Sequence, residues 1–425
     1  MKKIPFTGFD CFFLALEKHD KYKGTSGNTC RYVFDFDGYF AVNELQILLE
    51  DNQLVDFLCS LRYTKNLFRS PYWYVGSRQK IEVHEINSDE YIPRQILNQK
   101  VLLDRIPLSF DLIQRSNGTT SFIFSWHHIL MDGYGAVLFL KQLFSNTEPK
   151  LDALSSKEIS TYNFDAFLKA TKAKFFIDKT SKGLLSGVTP KRVFKKVDQR
   201  VSIISFSKDE TQLIDEFSYA AGAMYGRTAF LMACSARAVQ TILGIRNEKV
   251  TNFWIPVPRD NRKKGGYGPI LGNILSFLFY RLRKTELNSI KEAVSAINKQ
   301  MVSQIKMNIP MYYNHLMNFM KWLPLNIYYY LIKRGGTNSI AGFLFTVAPD
   351  HPSELMKIFD KNVVNAVNLP SNTYPPGLTF SYINFNGCLQ LMILYYEQVI
   401  SEHEFKVVEQ HLKQELLTGK EYNYE

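Results

Sequence analysis

The spacing of apolar and polar residues changes along the chain, and these changes predict alternating helices and strands. Phe9 to Lys18 and Val42 to Glu50 have the spacing of amphipathic helices, and Cys30 to Tyr39 between them alternates like an edge strand. The run SFIFSW, residues 121–126, is apolar on both faces. Such a run indicates a strand in the middle of a sheet.

Two hairpins recur, one in each half of the chain, with strands expected at 106–115, 119–126, 378–385 and 389–397. Their turns are Asn117-Gly118 and Asn386-Gly387, and Asn-Gly is suited to a two-residue type I′ turn. Capping boxes that begin at Ser207 and Ser401 predict two further helices. The repeated hairpin design indicates two similar lobes.

The length of 425 residues favours two domains, because one domain usually holds ~100–200 residues. A composition of 46% hydrophobic and 21% charged residues is typical of a globular protein. A stretch that contains a proline and several basic residues separates the halves. We therefore predict an N-terminal lobe at 1–183, a basic linker at 184–199 and a C-terminal lobe at 200–425.

The net charge of +11 is partly concentrated between Lys169 and Arg200, where ten Lys or Arg face only Asp178 and Asp198. This concentration favours an anionic partner. Nucleic acid, an acidic membrane surface, an acidic carrier protein and the phosphates of coenzyme A all qualify. A solvated linker is the alternative interpretation, and charge alone does not choose among them.

Cysteine usage and the apolar runs bear on the compartment. The five cysteines are odd in number and scattered without a CxxC pair, which argues against a disulfide framework or a zinc ribbon. No secretory signal and no apolar span of ~20 residues is visible. We expect a cytoplasmic protein. The aromatic segment 312–334, interrupted by Pro324, predicts either a pocket-lining helix pair or a peripheral membrane contact.

The candidate chemistry lies in the run His127-His128-Ile129-Leu130-Met131-Asp132-Gly133, which follows the central strand. A histidine exchanges protons near neutral pH, as acyl transfer from a thioester to an alcohol or amine requires. Asp132 could orient the His128 ring or could turn away and pair with an arginine, and spacing does not choose. A metal site of two His and one Asp is disfavoured, because successive strand residues point to opposite faces.

This run matches the HHxxxDG motif of nonribosomal-peptide condensation domains, bacterial wax ester synthases and related acyltransferases. The stretches FDCFFLALEKHD, NFWIPVPRDNR and PPGLTFSYINFNGCLQLMILYYE are similar to other parts of this superfamily. The resemblance covers nearly the whole chain. It implies an α/β fold of two chloramphenicol-acetyltransferase-like lobes, each a mixed sheet flanked by helices, with an active-site tunnel between them.

The resemblance also implies the roles of individual residues. His128 is the catalytic base, Asp132 its structural partner and Gly133 part of the active-site turn. Arg259 is the expected cation for Asp132, with Arg262 as the alternative. His127 is expected in a structural role. Separately, the candidates for the oxyanion are the Gly133 amide, Asn273, Thr379 and Ser381, and the alternatives are turn formation for Asn273 and strand packing for the others. The DFGWG motif of the plant branch is absent.

The resemblance implies an acyl-thioester-dependent O- or N-acyltransferase with no permanently bound cofactor and no metal. Acyl-coenzyme A or acyl-phosphopantetheine is the co-substrate, and an acyl or peptidyl carrier protein is a candidate partner, whereas nucleic acid is not. The alternative is a catalytically silent condensation-like module that binds a carrier protein or a synthase. The intact HHxxxDG run argues against that alternative.

Overall fold

The computed structural model describes residues 3–64, 70–145, 162–188, 194–262, 268–333 and 339–422. Two large mixed sheets with flanking helices dominate these residues, as the two-lobed α/β prediction requires. The first half contributes helices α1 to α6, at Gly8–His19, Val42–Asp51, Gln53–Ser60, Arg94–Leu97, Gly133–Leu143 and Phe164–Thr180. The second half contributes α7 to α12, at Lys208–Ala220, Thr228–Ile245, Ile290–Lys306, Ile309–Met320, Leu325–Ile332 and Glu402–Thr418.

The first sheet has six strands in the order β12-β13-β2-β7-β6-β5. Their bounds are β2 Thr29–Phe36, β5 Val83–Asn87, β6 Leu108–Gln114, β7 Thr120–His127, β12 Lys357–Ile358 and β13 Lys361–Leu369. Strand β7, which ends at the histidine pair, is central and buried throughout, as its apolar sequence predicts. Strand β13 pairs with β2 in this sheet although it belongs to the predicted C-terminal lobe. The predicted division at the linker does not account for a strand of one lobe in the sheet of the other.

The second sheet has the order β11-β14-β15-β8. Its strands are β8 Gln199–Ser205, β11 Leu344–Val347, β14 Leu378–Phe385 and β15 Cys388–Tyr396. Two smaller sheets complete the fold, an antiparallel pair of β9 Asn252–Asp260 and β10 Leu275–Arg283 and a three-stranded sheet of β1 Lys3–Pro5, β4 Tyr72–Val75 and β3 Leu61–Tyr63. Helix α8 is long and apolar enough to cross a membrane, but 72% of it is buried, as in a core helix.

Two local predictions are wrong. Strand β2 is not an edge strand, because it lies between β13 and β7. Arg31 of this strand donates hydrogen bonds to the carbonyls of Ile96 and Gln99 at 2.5 and 2.6 Å. An alternating pattern therefore does not show that one face of the strand meets water.

The two Asn-Gly turns also differ from one another. Asn386 and Gly387 both have positive φ, at 49° and 81°, as a type I′ turn requires. In the first hairpin only Gly118 has a positive φ, because the Asn117 side chain accepts a hydrogen bond from the Thr119 amide at 3.0 Å. Arg115 bonds Thr119 across a three-residue loop, so the predicted two-residue turn is wrong there.

The described parts of the predicted linker are not simply solvated. The carbonyl of Lys195 accepts a hydrogen bond from the Lys23 amide at 3.0 Å, and Ser186 bridges to Phe253. Two of its basic residues, Lys191 and Arg192, lie outside the described residues. The segment 312–333 forms helices α10 and α11, which meet at Pro324 as the helix-pair interpretation predicts.

Candidate active site

His128 lies immediately after the central strand β7, where the chain leaves the sheet. Its backbone amide donates to the carbonyl of Asn28 at 2.8 Å, which ties the strand end to the loop before β2. The imidazole stacks on Phe13 of α1, with ring centroids 3.8 Å apart and planes 20° from parallel. The backbone and the aromatic ring thus fix the imidazole from two sides.

The protonation state of His128 follows from its burial. Burial lowers the pKa of its imidazole to about 4, although its own carbonyl and the Asp132 charge oppose the shift. Its Nδ1 is buried and makes no hydrogen bond of ordinary geometry within the described residues. The ring is therefore neutral at pH 7 and is able to accept a proton.

His127 has the opposite environment, although it is the adjacent residue. Its side chain is fully buried, its Nε2 lies 3.3 Å from a carboxylate oxygen of Glu17, and its Nδ1 accepts from the Ile129 amide at 3.2 Å. Burial alone would raise the pKa of Glu17, but the His127 hydrogen bond and nearby positive charge outweigh it and lower that pKa. Both ring nitrogens of His127 are engaged, as a structural role requires.

Asp132 turns away from the imidazole and fixes the loop, which is one of the two roles left open by its spacing. Its carboxylate caps α5 by accepting from the Gly135 amide at 2.8 Å, and it also accepts from the Ile274 amide at 2.8 Å. The cation beside it is Arg262, whose Nη1 donates at 2.9 Å. The carboxylate thus joins the motif to the segment between β9 and β10.

Arg259, which the sequence analysis favoured as this cation, is not paired with Asp132. Arg259 lies in β9 with an exposed side chain, whereas Arg262 follows the strand and its guanidinium is 2% exposed. The carbonyl of Pro269 accepts from that guanidinium at 3.0 Å, because the chain folds back before β10. This return of the chain decides which arginine reaches the carboxylate.

Asn273 supports the backbone of the histidine loop. Its side-chain amide donates to the carbonyl of His128 at 2.9 Å and to Asp10 at 2.7 Å. Asp10 also accepts from the Asn273 backbone amide at 3.0 Å, and burial raises the pKa of its carboxyl to about 6 against these hydrogen bonds. The Asn273 amide is therefore already engaged. Sequence reasoning missed Asp10, whose only local signal is its place in a capping box with Thr7.

The other predicted positions, Gly133, Thr379 and Ser381, differ in whether they line a cavity at His128. Gly133 begins α5 and lines a cavity, but it is Gly135 that leaves no room for a side chain, since a Cβ there would lie 2.4 Å from the Ile270 carbonyl oxygen. Thr379 lines a cavity too, and its hydroxyl donates to Asn372 at 2.9 Å. Ser381 is buried and is not among the residues that line the two cavities at His128.

Two cavities of about 150 and 350 Å³ meet at His128. The smaller, which we call the apolar cavity, is walled mainly by aromatic and aliphatic side chains such as Phe12, Phe13, Trp254, Phe277, Phe279 and Tyr313. The larger, the polar cavity, is lined by Asp132, Gly133, Tyr134, Arg259, Asp260, Arg262 and Asn368 among others. Both cavities include His128, Pro258, Leu275, Thr346 and Pro370, so the two spaces adjoin at the imidazole.

The described residues contain no group of three or more His, Cys, Asp or Glu that could hold a metal ion. Sequence reasoning also missed Asn368, which lies in β13 and lines the polar cavity. Asn368 is one of three asparagines in this strand, and no motif in the sequence distinguishes it from the other two.

Comparisons with known proteins establish the fold. A trichothecene 15-O-acetyltransferase from Fusarium sporotrichioides has a similar structure, with a TM-score of 0.71, 14% identity and coverage of 98% of this chain and 95% of that chain. The fold is that of condensation domains and this acetyltransferase. The condensation domain of the Monacolin K polyketide synthase is similar at a TM-score of 0.65 and 11% identity, with 99% of both chains covered.

A third similar structure is a complex with a ligand. It is the starter condensation domain of rhizomide synthetase, in a mutant complexed with C8-CoA, at a TM-score of 0.64 and 12% identity, covering 98% of this chain and 94% of that chain. No family model and no curated protein matches the sequence. At these identities the likeness establishes the fold alone.

Proposed function

We propose that this protein transfers an acyl group from a coenzyme A or carrier-protein thioester to a hydroxyl or amine, with His128 as the general base. One observation carries the proposal. A neutral imidazole, held by Phe13 and by the backbone, stands where two cavities adjoin, of which only one is bordered by aspartate and arginine side chains. Two substrates that enter by separate cavities would both reach this ring.

The reaction would proceed without a covalent enzyme intermediate. The acceptor oxygen or nitrogen attacks the thioester carbonyl carbon as its proton passes to His128, through Nε2, since Nδ1 is the buried nitrogen. The carbonyl electron pair moves onto oxygen, and the tetrahedral intermediate then collapses with cleavage of the carbon–sulfur bond. His128 returns the proton to the departing thiolate, so the products are an ester or amide and a free thiol.

The residues around His128 would hold its imidazole in position and would take no part in the reaction themselves. Asp132 with Arg262 holds the loop, Asn273 holds the His128 carbonyl, and Glu17 holds His127. Such fixed groups keep an imidazole in a productive orientation, and orientation contributes a large part of the rate in reactions of two bound substrates. The similarity to a condensation domain complexed with C8-CoA supports a coenzyme A thioester as one donor class.

Thiol release from a panel of acyl-coenzyme A and acyl-carrier thioesters, with and without alcohol or amine acceptors, tests the reaction. We expect release that depends on an acceptor and yields the matching ester or amide. Release at the same rate without acceptor would indicate thioester hydrolysis instead. No turnover with any pair, together with tight binding of a carrier protein, would favour the catalytically silent module.

A further inference from the structure

The buried side chain of Asn368 has an amide nitrogen to which the structure, over its described residues, gives no hydrogen-bond partner. The residue pairs with Tyr32 of β2 in the first sheet, is 4% exposed, and its Nδ2 makes no hydrogen bond within the described residues. Leaving a buried amide unsatisfied costs roughly 1–3 kcal/mol. A buried polar group of this kind requires an explanation, and a ligand that completes its hydrogen bonding is one.

The side-chain amide of Asn368 lies near Gly133, at the start of helix α5. Its Nδ2 lies 4.0 Å from the place that a Cβ would occupy on Gly133. Asn368 and Gly133 line the polar cavity together with His128. Helix α5 begins at Gly133 and has 11 residues, and the first amides of a helix have no acceptor within it. An unpaired side-chain amide and a helix amino terminus therefore border the same space.

We propose that Asn368 donates a hydrogen bond from Nδ2 to the carbonyl oxygen of the acyl thioester. This inference rests on the proposed function, and it makes the polar cavity the site of the reacting carbonyl. As the acceptor attacks, the carbonyl electron pair moves onto that oxygen, and the amide stabilises the negative charge. The charge returns to the carbonyl bond when the thiolate leaves. Donors fixed in advance around such an oxygen act without reorganisation.

Replacement of the amide separates this role from a structural one. Asn368→Val introduces a residue that favours strands and removes the donor, and we expect kcat to fall by about 10²–10³-fold, as for other oxyanion donors. The melting temperature should stay constant or rise, because the variant removes an unsatisfied polar group from a buried position. A structural asparagine would instead lower the melting temperature. Asn368→Asp, which keeps the shape but replaces the N–H by an oxygen, should lower kcat at least as far.

Ser125→Ala is the matched control. The Ser125 hydroxyl is also buried without a partner within the described residues and lies on strand β7 of the same sheet, but it does not line either cavity. We expect its kcat to equal that of the wild type.

The outcomes distinguish this inference from the proposed function. An active wild type with an unchanged kcat in folded Asn368→Val would overturn the inference alone. Loss of activity that accompanies a lower melting temperature would also overturn it, in favour of a structural role. A wild type that releases no thiol with any donor would defeat the proposed function and the inference with it.

Discussion

The two cavities share His128 but differ in the charged side chains that border them. Aromatic and aliphatic side chains wall the apolar cavity, whereas the polar cavity contains Asp132, Asp260, two arginines and an unpaired asparagine. An apolar group gains free energy by leaving water for the first space, and a group that develops charge is stabilised in the second. Under the proposed function, one imidazole would serve two unlike portions of the substrates.

Both cavities also draw their walls from both halves of the chain. His128 and Phe13 come from the first half, whereas Thr346 and Pro370 come from the second. The strand β13, which crosses into the first sheet, carries Asn368 to the wall of the polar cavity. The two cavities at His128 therefore depend on how the two halves of the chain pack together.

The largest expected effect concerns the two arginines of the polar cavity. Arg262→Met leaves the buried carboxylate of Asp132 without a cation, so we expect the free energy of unfolding to fall by about 3–5 kcal/mol. Arg259→Met removes an exposed side chain and should change it by less than about 0.5 kcal/mol. Urea unfolding of both variants at pH 7 measures the difference. Equal losses would contradict the assignment of Arg262 as the partner of Asp132.

A smaller effect is expected from widening the apolar cavity. Phe277 lines it and packs against Tyr313, with ring centroids 6.0 Å apart. Phe277→Ala should shift kcat/KM by about tenfold towards the longer of two substrates that differ only in an apolar chain, since pocket fit is worth ~1–3 kcal/mol.

The control for that experiment is Phe405→Ala, which removes a ring that stacks on Tyr395 at 4.7 Å, away from both cavities. This variant should lose stability without a change in preference. If both variants altered the preference equally, the apolar cavity would not be the site that selects the substrate.

A further expected effect is on the pH dependence of stability. The pKa of His128 is about 4 in the folded chain and ~6.5 for an unperturbed histidine, so between these values the unfolded chain binds more protons. The stability of the wild type should therefore fall as pH decreases from 6.5 to 4, and His128→Gln should remove part of this fall. Subtracting the two curves of stability against pH cancels the contributions of His351, whose pKa is also lowered, and of Asp10, whose pKa is raised. Parallel curves at pH 4.5 to 7.5 would contradict the buried neutral imidazole.

The parts that the sequence predicts well are local. The apolar run of β7, the capping boxes at Ser207 and Ser401 and the Asn386-Gly387 turn each depend on a few adjacent residues, and all three are confirmed. Local order also places His128 at the end of a central strand.

The features that the sequence does not predict depend on contacts between residues far apart along the chain. Asp10 and Asn273 are 263 positions apart, and Asp132 and Arg262 are 130 apart. Choosing Arg262 over Arg259 requires the return of the chain at Pro269, which no spacing rule supplies. Asn368 reaches the polar cavity because its strand crosses into the first sheet, and the sequence does not predict this crossing.

The most direct test of the central claim is the rate of acceptor-dependent thiol release by the wild type and by His128→Ala, measured with the best donor and acceptor pair. A general base contributes about 10²–10⁴-fold, so we predict that the variant, with an unchanged melting profile at pH 7, loses at least a hundredfold in kcat. A folded His128→Ala protein that releases thiol at the rate of the wild type would contradict the role of this histidine.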